Sequence, residues 1–265
     1  AQLARAVGNA DSGVGGRLAT VLTAEQIAVA MYRGSRAERL AALEAAGHLE
    51  DPWPILPYLA ASLRVQERSA ASQAAASLEG ALWRLMARPD AAGEVPARQA
   101  AQLSRTLLSV AGDDRVALDL RAVALAAIRT LAGISGAPHA PGDALLRSKE
   151  PAIASAAMAL LSPPLAEGDL ASLAAIAESS EDPLLRGQAV GALCENALYH
   201  KVPKPSDDLA ALIRGVFDNA LPGAALLPAV ACLGRFPAEG WAGLIDLALA
   251  HPDPAVKRFW DASSR

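Results

Sequence analysis

Aromatic residues are scarce in this chain: three Phe, three Tyr and four Trp, 4% of 265 residues. A core with so few large rings must be filled by aliphatic and small side chains, and Ala alone supplies about a quarter of the sequence. Ala has the highest helix propensity and lets neighbouring backbones approach closely. The composition therefore implies an all-α protein with tightly spaced helices. Positive charge is also in short supply, with 24 Lys and Arg against 28 Asp and Glu and a net charge of −4. Binding to nucleic acid needs a concentrated positive field that displaces counterions, so this balance argues against a nucleic-acid partner. Long apolar runs are missing too. The richest stretch, Leu221–Leu233, is shorter than the roughly 20 residues of a membrane-spanning helix and is interrupted by Pro222 and Pro228. No transmembrane segment is expected.

There are two cysteines, Cys194 and Cys232, and four histidines, His48, His139, His200 and His251. No two histidines have metal-ligand spacing and no cysteine adjoins one, so no zinc or di-iron motif is present and no cofactor or metal is expected. The cysteines fall at similar depth in successive helical units. Packed helix axes lie about 8–10 Å apart, whereas a disulfide needs Cα atoms within about 7 Å. Both are read as buried small hydrophobes that stay apart. Such cysteine usage leaves the compartment open, with a cytoplasmic setting preferred and export after signal cleavage as the alternative. The start at Ala-Gln rather than Met reads as a processed or trimmed product.

What is present is an echo. "DPLLRGQAVGALCENAL" (Asp182–Leu198), "DPAVKRFWDA" (Asp253–Ala262) and "EPAIASAAMALL" (Glu150–Leu161) each open with an acid and Pro and continue in apolar helical rhythm. Asp before Pro suits the N-cap and first helical position. Arg186 and Lys257 stand four residues after these acids, within reach across one turn. Near the N-terminus, Thr23 with Gln26 and Ser35 with Glu38 spell capping boxes. The rest resolves into pairs, with first helices near 54–64, 97–109, 143–147, 169–178, 207–219 and 240–250. The second helices run near 67–87, 115–132, 151–161, 183–199, 223–236 and 254–262. A drifting period of roughly 30–50 residues with two helices per unit is the mark of an α-solenoid.

The units resemble HEAT-like, armadillo-type helical repeats. The resemblance rests on Asp182-Pro183 with Arg186, Gln188-Ala189-Val190 and Ala192-Leu193; on Asp253-Pro254 with Val256-Lys257; and on "LRAVALAAIRTLA" (Leu120–Ala132). It implies a right-handed α-solenoid of about six stacked antiparallel helix pairs over residues 24–265, behind a flexible or partly ordered segment at 1–23. It also implies a ladder of acidic and basic residues along the stack. Repeats of this kind serve many roles, so the resemblance speaks for fold rather than function.

Longer connections interrupt the repeats at Arg88–Pro96, Gly133–Gly142, Ser162–Gly168 and His200–Ser206. Each follows a second helix, which sets them on one edge of a solenoid, and such an edge often serves binding. "YHKVPKPSDD" (Tyr199–Asp208) is the most distinctive, and "GAPHAPG" (Gly136–Gly142) carries His139. The acid pairs Asp113-Asp114, Glu181-Asp182 and Asp207-Asp208 read as helix-start residues favoured by the dipole, not as catalytic carboxylates. Trp53, Trp83 and Trp241 read as core or inter-repeat packing. Trp260, in the last helix, is the exception that could face a partner.

These readings lead to a non-catalytic protein- or peptide-binding scaffold. Its candidate partner-binding residues are Tyr199, His200, Lys201 and Lys204 in the insertion, with Arg186, Lys257, Phe259 and Trp260 on the helices. The alternative is a helical-repeat enzyme or a lyase- or chaperone-like protein holding a small apolar ligand such as a tetrapyrrole. Proteins resembling bilin lyases and alkyl-base DNA glycosylases show that the scaffold admits enzymes, although the glycosylase version fits poorly with the net charge.

Overall fold

A computed structural model describes residues 14–87, 95–136, 140–218 and 221–263. Fifteen helices and no strand are found among them, as the Ala-rich composition requires. They cluster into two compact units, residues 1–139 and 140–265.

The first unit holds α1 (Val14–Ala19), α2 (Ala24–Arg33), α3 (Arg36–Ala46), α4 (Leu56–Ser62), α5 (Arg68–Ala87), α6 (Ala97–Ala111) and α7 (Leu118–Ser135). Both capping boxes form at the starts of α2 and α3. Thr23 accepts from the Gln26 amide while Gln26 Oε1 accepts from the Thr23 amide at 3.0 Å, and Ser35 and Glu38 repeat the arrangement. Hydrogen bonding from the Ser35 amide, and then from its hydroxyl, holds the Glu38 carboxyl below its usual range. α3, α5 and α7 pack in succession, and α2, α4 and α6 each pack on the helix that follows them. The contact faces are made largely of Ala and Leu: Ala70, Ala71, Ala74, Leu78, Ala81 and Leu82 on α5 are all buried. Each fully buried Leu contributes about 1.5–3 kcal/mol by leaving water.

Exposed ends of the successive helices are tied by charge. Glu67, just before α5, accepts from Arg36 and Arg39 of α3, and Arg68 of α5 forms a two-bond pair with Asp119 of α7. Asp113 departs from the helix-start reading, since α7 begins only at Leu118. It lies in the turn before α7, where its side chain accepts from the Arg115 amide and guanidinium and pairs with Arg64 at 3.5 Å. Hydrogen bonding from Arg115 is the main cause that holds its carboxyl at about 2. Trp53 is buried as expected, but Trp83 is 62% exposed: it stands beside the buried Leu82, off the α5 core face.

The second unit holds α8 (Asp143–Leu146), α9 (Pro151–Met158), α10 (Glu167–Ser179), α11 (Pro183–Tyr199), α12 (Asp207–Asp218), α13 (Gly223–Leu233), α14 (Ala238–Leu249) and α15 (Pro254–Ser263). Here α9, α11, α13 and α15 pack in one succession and α8, α10, α12 and α14 in another. Asp182 caps α11 through the Leu184 amide at 2.8 Å with Pro183 in the first turn, as its sequence requires. Asp253 does more than the sequence suggests. One oxygen caps α15 at the Ala255 amide, and the other accepts from the Gly223 amide at the start of α13. These two amides hold its carboxyl below the usual range.

The α11–α13 crossing is unusually close. A methyl on Gly187 would overlap the Ala225 carbonyl, and one on Gly191 would sit 2.6 Å from Pro228 Cβ. The two helices therefore meet backbone to backbone, which only glycine permits.

Candidate functional site

The distinctive insertion begins where α11 ends. His200, Lys201 and Val202 donate their amides to the carbonyls of Asn196, Leu198 and Ala197, closing the helix in a Schellman turn. Lys201 occupies its left-handed position at φ 53, where Gly is usual and another residue costs about 1 kcal/mol. Trp241 holds the next residue. Fully buried and stacked on Phe236 with ring centroids 3.7 Å apart, it donates from Nε1 to the Val202 carbonyl at 3.3 Å. Gly240, at φ 85, lies against Pro203, where a methyl would overlap the carbonyl. The Ser206 hydroxyl then accepts from the Leu209 amide and starts α12. Far from being a slack linker, the segment is fastened at four points.

Between this segment and α10, α11 and α12 lies a cavity of about 400 Å³. Leu170, Ala174, Leu193, Ala197, Leu209 and Leu212 form its apolar walls, and His200, Val202, Ser206 and Asp208 surround its rim. Asn196 contributes a buried amide whose Oδ1 accepts from the Leu165 amide at 2.9 Å. That bond ties the Ser162–Gly168 connection to the last turn of α11, where the Asn196 carbonyl accepts from the His200 amide. Residues 88–94 and 137–139, which include His139 and most of a third insertion, lie outside the described residues.

Tyr199, His200, Lys201 and Lys204 are all exposed around this segment, and the Tyr199 and His200 rings meet edge to face at 5.2 Å. The other candidates lie elsewhere. Arg186 sits at the opposite end of α11. Its spacing points it toward Asp182; instead its Nε donates to the Ala177 carbonyl near the end of α10 at 3.2 Å. Arg121 does the same on α7, donating to the Ala111 carbonyl at the end of α6 and pairing with Asp114. These repeated arginines thus satisfy the last carbonyls of the preceding helix. Lys257 is exposed on α15, Phe259 and Trp260 are half-buried, and the Trp260 ring lies over Gly234.

Two features are set by the packing of the helices. One is the cavity, whose walls come from three consecutive helices and the connection between the last two. The other is the relation of the cysteines. Both are free and buried, but they are neighbours: hydrogen bonding with Cys194, followed by burial, pushes the Cys232 thiol far above the ordinary thiol range. The expected separation assumed ordinary helix spacing, which the glycines of α11 remove. Among the described residues no group of three or more His, Cys, Asp and Glu could hold a metal ion, and no helix is long and apolar enough to cross a membrane. Compared with known proteins, the chain finds no match to a family model, a curated protein or a solved structure.

Proposed function

We propose that the chain is a non-catalytic HEAT-like α-solenoid that binds a protein or peptide segment at the edge carrying Tyr199–Asp208. One observation carries this reading: the exposed Tyr199, His200, Lys201 and Lys204 stand around a firmly held segment that also forms the rim of an apolar cavity of about 400 Å³. Binding sites combine apolar walls with a few placed polar groups, and interface energy concentrates where one anchor side chain fills such a pocket. The walls suit an aliphatic or aromatic anchor, and the exposed rim suits contacts with the flanking peptide backbone.

A displayed library of random peptides, panned against the purified chain, tests the reading. The expected result is enrichment of peptides with a bulky apolar anchor, whose binding weakens at least about tenfold when Ala174→Trp fills the cavity. An enriched set bound equally well by that variant, or no enrichment at all, would remove the cavity from the proposal. The small-ligand alternative draws on the same apolar walls. Retention of a coloured tetrapyrrole by the chain, and its release by Ala174→Trp, would favour that alternative.

A further inference from the structure

We infer that Cys194 and Cys232 form an intrachain disulfide site, oxidised by a low-molecular-weight disulfide, that joins α11 to α13. The helix register carries the inference. Gly187 meets Ala225 and Gly191 meets Pro228, so the two helices advance together turn by turn. One further turn on each brings Cys194 and Cys232 opposite one another. Both have no exposed surface, and their thiols interact in the reduced chain. Backbone contact of this kind brings Cα atoms closer than ordinary helix packing does, toward the span a disulfide bridges.

The chemistry is thiol–disulfide exchange. A thiolate of one cysteine attacks the small disulfide RSSR, forming a mixed disulfide and releasing RS⁻. The thiolate of the other then attacks the protein sulfur of that mixed disulfide and releases a second RS⁻. The chain loses two protons and two electrons, and one RSSR becomes two RSH. Burial suppresses the thiolate, so the exchange is slow and proceeds as α13 lifts from α11. Pro228 eases that motion, because it removes one amide from the α13 hydrogen-bond ladder. Cys194 lies between Leu193 and Asn196, which both line the cavity, so the bond fixes the turn of α11 that shapes the proposed binding site.

The test is to incubate the reduced chain in glutathione buffers of increasing oxidised fraction, without denaturant. Intact mass and non-reducing peptide mapping give the linkage, and thermal unfolding gives its effect. The expected outcome is loss of two hydrogens, a Cys194–Cys232 cross-link reversed by dithiothreitol, and a Tm about 10 °C higher. Cys194→Ala and Cys232→Ala, which keep the site small and apolar, should show neither the cross-link nor the rise. Persistence of free thiols in the most oxidising buffer, glutathione adducts with no cross-link, a cross-link formed only in unfolding urea, or a lowered Tm would each overturn the inference.

Discussion

The two units join their successive helices with different emphasis, although one exposed pair, Arg235 with Glu195, also ties the end of α13 to α11. In the first, the exposed ends of α3, α5 and α7 are tied by Arg36, Arg39 and Glu67 and by Arg68 and Asp119. In the second, α11 and α13 meet through Gly187 and Gly191, and Asp253 reaches from its own helix to the start of α13. The first arrangement tolerates side-chain change, because exposed ion pairs contribute only about 0–1 kcal/mol each. The second does not, because a backbone contact leaves no room for an added atom. The cavity and the paired cysteines both lie in the unit built the second way, where α11 is held against its neighbour closely enough to fix the side chains around it.

The sharpest test of this contrast is a single methyl group. Gly187→Ala should destabilise the chain by about 3 kcal/mol or more, because the Ala225 carbonyl must move. Gly80→Ala on α5, whose added carbon meets only Arg84 at 3.9 Å, should stabilise it by about 0.5–1 kcal/mol. Urea unfolding followed by helical circular dichroism reads both, and equal effects would dissolve the comparison. A middle-sized effect is expected from the arginines that cap preceding helices. Arg121→Met should cost about 2 kcal/mol, because it strips a buried guanidinium from the Ala111 carbonyl, and Arg186→Met about 1 kcal/mol at its half-buried site. The same unfolding curves rank them, and a larger loss at Arg186 would reverse the argument from burial. The smallest effect belongs to the half-buried Asp113, paired with Arg64 and Arg115 in the turn before α7, and appears in acid. Asp113 is held at about 2, below its ordinary 3.8, so the folded chain favours the ionised form. This contribution is complete above about pH 4 and disappears as pH falls through 2. Asp113→Asn should therefore flatten the acid limb of a stability–pH profile; an unchanged slope would show that Arg64 and Arg115 leave no mark on stability.

Much of the helical layout was legible in the chain itself. α11 was expected at 183–199 and runs Pro183–Tyr199, because Asp182 and Pro183 fix its start locally. The acid pair at Asp113-Asp114 suggests a start of α7 near 115 instead of 118, because the Asp113 side chain folds the turn before the helix rather than capping it. Apolar rhythm alone puts Trp83 in the core, because it does not say where a wide ring stops fitting among alanines. For the candidate site, the distinctive composition of Tyr199–Asp208 singled out a segment that also borders the cavity. Nothing in that segment announced Trp241 and Gly240, which hold it from α14, or Leu170 and Ala174, which wall the cavity from α10.

By itself, then, the sequence determined most of the helices and the caps at Thr23, Ser35, Asp182 and Asp253, since these depend on residues within a turn or two of one another. Only the tertiary structure decided which backbones touch, and with that came the meeting of Cys194 with Cys232, the choice of Ala177 over Asp182 by Arg186, and the space between α10, α11 and α12. Each of these depends on how separate helices pack against one another, and a glycine reads the same in sequence whether it faces open space, as Gly133 does, or a carbonyl, as Gly187 does.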